Sequence, residues 1–510
     1  MPGHMITCPY CFKQFDDSKV HFRMETVDPD EEAFAPRTDE KYEEFWEPFG
    51  GTTELFSPSR DRAGDVSPWL RPVYDPMDPS KKEVFGGSAR YLVGDDIVIG
   101  VKDRHDAVTE RRVCPACHNP LPGRYGRYPV KFISLIGISG AGKTVYLSQL
   151  CKFMAARMGA YNIAVMPTSA YAYEYMTTNR VAANALLPQP TPPEIFQQPL
   201  CFDFHFRDST GQPHSQTFVF YDIAGENLQF AEGRADIAES ARRFGPFIRH
   251  SDAIIMLIDP MQFSGDDDHE DAVTALTVID SMFDRERLRH LPLAVCISQA
   301  DGKPQLSDGT IDKYAPTFCS DIIHVPALPE MRVNEGMGER FSVTDYNELR
   351  DRIDAFVRSM AYDVPLHTTL SMTYGCYNYF MIESIGVDLV EQEGEGGFSF
   401  MVPSATPRPK RIIEPILWIL SKLPIGRGDM RPILEVRGFI NEPGDWTCQF
   451  CGRPHIRATE DFCPNCRLNR FGQWRCPSCG VLNSGASEWC VTKGCKTDRF
   501  GNRKKMFGVF

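Results

Sequence analysis

Apolar positions in the middle of the chain fall into two periods. Residues 131–151, KFISLIGISGAGKTVYLSQLC, read as a short apolar strand, a loop with three glycines, then apolar positions spaced as on a helix. Residues 200–208 and 216–222 alternate apolar with polar, and the turn-forming STGQPHS between them makes the two runs arms of a hairpin. Residues 251–260 and 291–301 are instead continuous apolar runs, the pattern of parallel strands covered on both faces. Helically spaced 270–283 joins them, a strand over 377–384 follows, and 411–423 has the spacing of a closing helix. The expected fold class over residues 130–425 is α/β, a doubly wound and mostly parallel sheet with one antiparallel edge strand.

The flanks are patterned by cysteine instead. Cys448, Cys451, Cys463 and Cys466 form two CxxC pairs, and Cys476, Cys479, Cys490 and Cys495 form a second set. Tetrahedral zinc takes four thiolates, and two tight turns supply them in segments too short to build an apolar core. At the other end the CPYC of Cys8 and Cys11 has a partner of the same form in the CPAC of Cys114 and Cys117. These read as halves of one ribbon split by a long acidic insertion, because loop-closure cost rises slowly with length. His4, His21 and His118 are substitute ligands, although a lone histidine is far more often a surface residue, while Cys151, Cys201, Cys296, Cys319 and Cys376 read as buried thiols. The expected organisation is a split ribbon over 1–129, the sheet unit over 130–425, a linker over 426–445, one finger over 446–470, and a second finger with a basic tail over 471–510.

Composition narrows the class further. A chain of 510 residues, 42% hydrophobic and 24% charged, is expected to be globular and to form two to four units. Its apolar runs stop short of the roughly 20 residues that a membrane helix needs, and no secretory leader opens it, so cytoplasmic location without membrane contact is expected. Reduced thiols there favour metal over disulfide for the 17 cysteines. A net charge of −13 argues against bulk attraction to nucleic acid, although the C-terminal stretch is rich in Arg and Lys.

The glycine loop matches G-x-x-x-x-G-K-[ST] at Gly137, Gly142, Lys143 and Thr144, with the strand before and the helix after that this phosphate-binding motif requires. Ser139, Gly140, Ala141, Gly142, Lys143, Thr144 and Val145 would present consecutive amides at a helix N-terminus. Lys143 would reach the β and γ phosphates, and Thr144 would ligate magnesium. The hairpin ends in Asp222, a further magnesium-side candidate, and the DIAG that follows resembles the D-x-x-G switch of translation-factor-related GTPases, with the Gly225 amide at the γ-phosphate. Asp301, in SQAD, stands where the guanine-reading N-K-x-D of those proteins ends, with Ser298 for Asn and Gln299 for Lys. Ser384 and Ile385, before Gly386, fall where GTPases present a loop amide to the base.

Together these motifs resemble the bacterial double-GTPase group, a translation-factor-related class of P-loop GTPases found in multi-gene conflict or defence systems. The resemblance implies GTP and GDP binding, magnesium, slow hydrolysis and protein partners encoded nearby. Thr191, in a proline-flanked loop, is the candidate switch threonine and magnesium ligand, and Glu226 the candidate for orienting water. Arg242 and Arg243 read as an ordinary helix face more than as a charge-stabilising finger. The set from Trp474 to Cys495 resembles the Ran-binding-protein type of zinc finger, whose members recognise RNA or proteins. The expected function is a GTP-hydrolysing regulatory switch with about three zinc ions. The alternatives are a P-loop ATPase and a non-hydrolysing adaptor that works through its fingers. The sequence names neither the partner nor the oligomeric state.

Overall fold

In a computed structural model, the residues described are 4–51, 68–137, 140–188, 198–208, 211–223, 245–259, 276–277, 279–299, 353–354, 357, 364–393, 399–426, 429–434, 448, 450, 461–463 and 465–503. The chain divides into two compact units. The first comprises Met1–Glu339 with Leu349–Glu435, and the second Arg340–Glu348 with Val436–Phe510.

The first unit opens with a hairpin, β1 (Met5–Thr7) and β2 (Gln14–Asp16), which carries Cys8 and Cys11 in its turn. The described residues of the insertion before Cys114 are folded. Strand β3 (His21–Arg23) lies between β4 (Val73–Tyr74) and β8 (Arg112–Val113), and β5 (Arg90–Gly94), β6 (Ile97–Lys102) and β7 (Val108–Thr109) make a meander. Helix α1 (Glu40–Trp46) is capped by Asp39, which accepts from the Tyr42 amide. It turns its acidic residues outward and buries Tyr42 and Trp46, whose Nε1 donates to Asn119 Oδ1 at 2.8 Å. Two buried arginines are paired, Arg23 with Asp39 at 2.6 Å and Arg112 with Asp17 at 3.1 Å, which is how an acidic, proline-rich stretch closes over polar groups.

The central sheet has seven strands in the order β10-β11-β12-β9-β13-β14-β15. They are β9 (Val130–Gly137), β10 (Ile163–Pro167), β11 (Leu200–Arg207), β12 (Pro213–Asp222), β13 (Ala253–Ile258), β14 (Leu293–Ile297) and β15 (Tyr377–Met381). Strands β12, β9, β13, β14 and β15 pair in parallel, and β11 is antiparallel to both its neighbours. Every residue of β13 and β14 is buried, as their unbroken apolar runs require of strands covered on both faces. Strand β10 lies outside β11. It is a short run ending in proline, with Met166 exposed, and periodicity along it gives little sign of a strand. Helix α2 (Lys143–Arg157) leaves the glycine loop and α3 (Ala170–Thr178) follows β10. The closing helix is shorter than its apolar spacing suggests, Glu414–Leu420, and is buried along its whole length. Among the described residues no helix is long and apolar enough to cross a membrane.

In the second unit, Gln473–Arg475 and Leu482–Ser484 form a hairpin around the buried Trp474, whose Nε1 donates to the carbonyls of Ser484 and Ser487 at 2.9 and 3.0 Å. Two turns of one design close its cysteine sets. Asn469 Oδ1 accepts from the amides of Phe471 and Gln473, and Asp498 Oδ1 from those of Phe500 and Asn502. Each turn leaves its phenylalanine in solvent, Phe471 84% and Phe500 57% exposed.

Candidate functional site

The glycine loop sits between the C-terminal ends of β9 and β13, where a doubly wound sheet offers a crevice for ligand. Gly137 is fixed by close approach, since a Cβ there would lie 2.6 Å from the carbonyl oxygen of Leu257 on β13. Gly142 caps α2 with a left-handed backbone, φ 75°, which glycine adopts without cost. Lys143 is buried and its Nζ donates to the Gly137 carbonyl at 2.8 Å, so the ammonium lies curled into the loop it would share with phosphate oxygens. Thr144 Oγ1 donates to Asp222 Oδ2 at 3.3 Å, which joins the start of α2 to the end of β12. Asp222 is buried beside Tyr171 and Tyr175 of α3, whose phenols are held neutral first by burial and then by its charge.

On the far side of the loop, Gln299 stands at φ 51° just past β14, and its Nε2 donates to Gly140 O and Asp259 Oδ2, both at 2.9 Å. Ser298 is buried and donates from Oγ to the Ile258 carbonyl at 3.1 Å, so a short hydroxyl ties β14 to β13 where an asparagine was the pattern. Asp259 is a site residue that the motifs did not reveal. It is a buried carboxylate at the end of an apolar run, marked in sequence only by the polar stop in LIDP. The segment after β15 is also held: Gln149 Nε2 donates to Ser384 O at 3.2 Å and the Arg408 amide to Ile385 O at 2.8 Å. Gly386, φ 70°, faces the Arg408 carbonyl so closely that no side chain fits.

The structure thus gathers Gly137, Gly140, Ala141, Gly142, Lys143, Thr144, Asp222 and Gln299 around one loop, and Ser384 is tied to α2 through Gln149. Ser139, Thr191, Gly225, Glu226, Arg242, Arg243 and Asp301 lie outside the described residues, as do Cys319 and Cys451.

The cysteines assemble as their spacing implies. The Sγ atoms of Cys8, Cys11, Cys114 and Cys117 lie within 4.8 Å of one another, as do those of Cys476, Cys479, Cys490 and Cys495, and those of Cys448, Cys463 and Cys466. Closest pairs are 3.7 Å for Cys8–Cys117, 3.5 Å for Cys476–Cys495 and 3.4 Å for Cys479–Cys490. A tetrahedron with metal–sulfur bonds of about 2.3 Å has edges of about 3.8 Å, whereas a disulfide needs about 2.05 Å, so these groups can hold metal and are not bonded pairs. Burial pushes the Cys8 and Cys117 thiols up, while the hydrogen bond from Cys11 pulls Cys114 down, a division that a shared cation would remove. His21 and His118 pair with each other at 3.1 Å, and His118 with Asp39 at 2.7 Å, instead of joining the four thiols.

Among characterised proteins, 160 residues are 26% identical to the "Putative ESX-1 scaffolding and assembly protein SaeC" of Mycolicibacterium smegmatis, covering 29% of this chain. The chain spans only 38% of that relative's length. Among solved structures, the signal recognition particle receptor SRb-GTP/SRX complex of Chaetomium thermophilum aligns at 12% identity and TM-score 0.22, over 51% of this chain and 93% of that one. Sup35 complexed with GDP aligns at 12% identity and TM-score 0.18, over 50% of this chain and 38% of that one. Residues 131–326, which hold the glycine loop, the β11–β12 hairpin and the Gln299 strand end, match the model of the family described as Double-GTPase 2.

Proposed function

We propose that the chain binds GTP with magnesium at the Gly137–Thr144 loop, hydrolyses it slowly to GDP and phosphate, and acts as a nucleotide-controlled switch. The observation that carries this reading is the pair of contacts on either side of the loop: Lys143 held at the Gly137 carbonyl and the Thr144 hydroxyl held at Asp222. In that arrangement Lys143 would hold the β and γ phosphates, Thr144 and Asp222 would hold magnesium, and the cation would supply charge neutralisation for phosphoryl transfer. Thr191, the Gly225 amide and Glu226 are assigned to the γ-phosphate side, and Asp301, with Ser384 and Ile385, to the guanine edge. The four-cysteine groups are assigned to zinc, about three ions per chain.

As a switch the chain works through partners. The family implies proteins encoded beside it in a conflict or defence type of system in the bacterial cytoplasm. The relative described as an ESX-1 scaffolding and assembly protein supports protein partners. The C-terminal fingers are the assigned recognition modules, for protein or RNA. Nucleotide released from freshly purified, denatured protein should be GDP or GTP. Adenine nucleotide there would favour a P-loop ATPase, and bound guanine nucleotide without turnover under excess GTP would favour an adaptor that does not hydrolyse.

A further inference from the structure

The first knuckle of the N-terminal ribbon packs on the strand that ends in Asp222. Its turn, Cys8–Phe12, closes with the Phe12 amide on the Cys8 carbonyl at 3.1 Å, and Phe12 takes a left-handed backbone, φ 57°. That geometry turns the Phe12 ring away from the cysteines and into the sheet unit. It stacks on His250 at 4.4 Å with planes 6° apart and meets Phe132 of β9 at 5.3 Å, Phe247 at 5.2 Å and Tyr221 of β12 at 6.0 Å. Tyr221, 1% exposed, donates its phenol to the Pro9 carbonyl at 2.7 Å. The second knuckle has the same C-P-x-C form but a different partner, since its Pro115 carbonyl accepts from Lys41 Nζ, a contact within the ribbon's own insertion.

Tyr221 is followed directly by Asp222, and Asp222 accepts from Thr144. We propose that the N-terminal four-cysteine centre is a structural part of the nucleotide site, with Phe12 and Tyr221 as positioning residues that fix the end of β12 and hence the Asp222 carboxylate beside Thr144. Apolar packing alone would tolerate small shifts of β12. The phenol–carbonyl bond and the edge-on contact of Phe12 with Tyr221 add direction, which a carboxylate serving a magnesium ion would require, because that ion demands near-ideal octahedral geometry. Linkage then runs both ways: a metal-loaded knuckle favours nucleotide with magnesium, and bound nucleotide with magnesium must hold the metal in the knuckle by the same factor.

The inference rests on the nucleotide-site reading, so wild-type binding of a fluorescent GDP analogue, with magnesium and in EDTA, is measured first. Absence of binding overturns that reading and this inference together. In a chain that binds, Tyr221→Phe removes one oxygen and should raise the magnesium concentration for half-maximal nucleotide retention by about five- to tenfold, within the usual range of site-to-site coupling. Affinity in EDTA and zinc content should stay as in wild type. Unchanged magnesium dependence, or an equal loss with and without magnesium, overturns the inference, the latter because it marks general destabilisation. Phe12→Leu, which keeps an apolar side chain, gives the same test if Tyr221→Phe does not fold. The reciprocal half needs no variant. Saturating GDP and magnesium should slow loss of one zinc per wild-type chain to a chelator several-fold, and zinc loss indifferent to nucleotide overturns it.

Discussion

The side-chain amide of Gln299 donates to the carbonyl of Gly140 at 2.9 Å, so the end of β14 holds the glycine loop across the site. The same amide reaches Asp259, which anchors it from below. A single glutamine thus ties the end of β14 to both the glycine loop and the end of β13.

Gln299→Ala should weaken guanine-nucleotide binding by about three- to tenfold, since a net hydrogen bond contributes about 0.5–1.5 kcal/mol. Gln299→Lys should recover most of it, because an ammonium can donate to both Gly140 O and Asp259. Equilibrium titration of the two variants checks this, and a Lys variant as weak as the Ala variant would show that the amide is not acting as a link.

Lys143→Ala should abolish tight binding. The loop loses its cation against the β and γ phosphates, and charge-assisted hydrogen bonds contribute about 1.5–3 kcal/mol each. Isothermal titration with GDP is the measurement, and undiminished affinity would reject the site.

Base identity is tested at Asp301. Its carboxylate offers acceptors only, matching the N1–H and 2-amino donors of guanine, whereas Asp301→Asn adds a donor. The variant should bind GTP about a hundredfold or more weakly, the loss of two such bonds, and gain xanthosine triphosphate. Competition among GTP, ATP and xanthosine triphosphate decides; a wild type that prefers ATP returns the site to a P-loop NTPase of another base.

Elemental analysis should find about three zinc ions per chain, one for each cysteine group. Cys114→Ser should remove one ion and lower the melting temperature of the sheet unit, because Cys8, Cys114 and Cys117 share a buried core with Phe132, Val219 and Tyr221. Removal of residues from 445 onward should leave nucleotide turnover intact while weakening partner or RNA binding, as the sheet ends before that point.

Local pattern made much of the sheet legible. The strand–loop–helix at 131–151, the hairpin at 200–222 and the buried runs of β13 and β14 each follow from a period that a few neighbouring residues set. Strand β10 was not legible, because five residues ending in proline, two of them turned to solvent, carry too little periodicity. The acidic insertion hid its core for another reason: Trp46 and Arg112 are buried by partners 73 and 95 residues away, and no window of sequence contains both sides of such a contact. Asp259 and the Gln299 link are likewise products of topology, since only the side-by-side arrangement of β13 and β14 brings 259 and 299 to the same loop.

The ring of Phe12 occupies a recess that the sheet cannot close by itself. A fragment begun at residue 130 would leave Phe132, Tyr221 and Phe247 facing water as one aromatic surface and would strip the Tyr221 phenol of its acceptor. Such a surface is a driver of self-association. For expression and crystallisation the smallest tractable piece of this protein is therefore one that keeps residues 4–128 attached, and an inert, aggregating fragment from 130 onward would report on its missing cover, not on its chemistry.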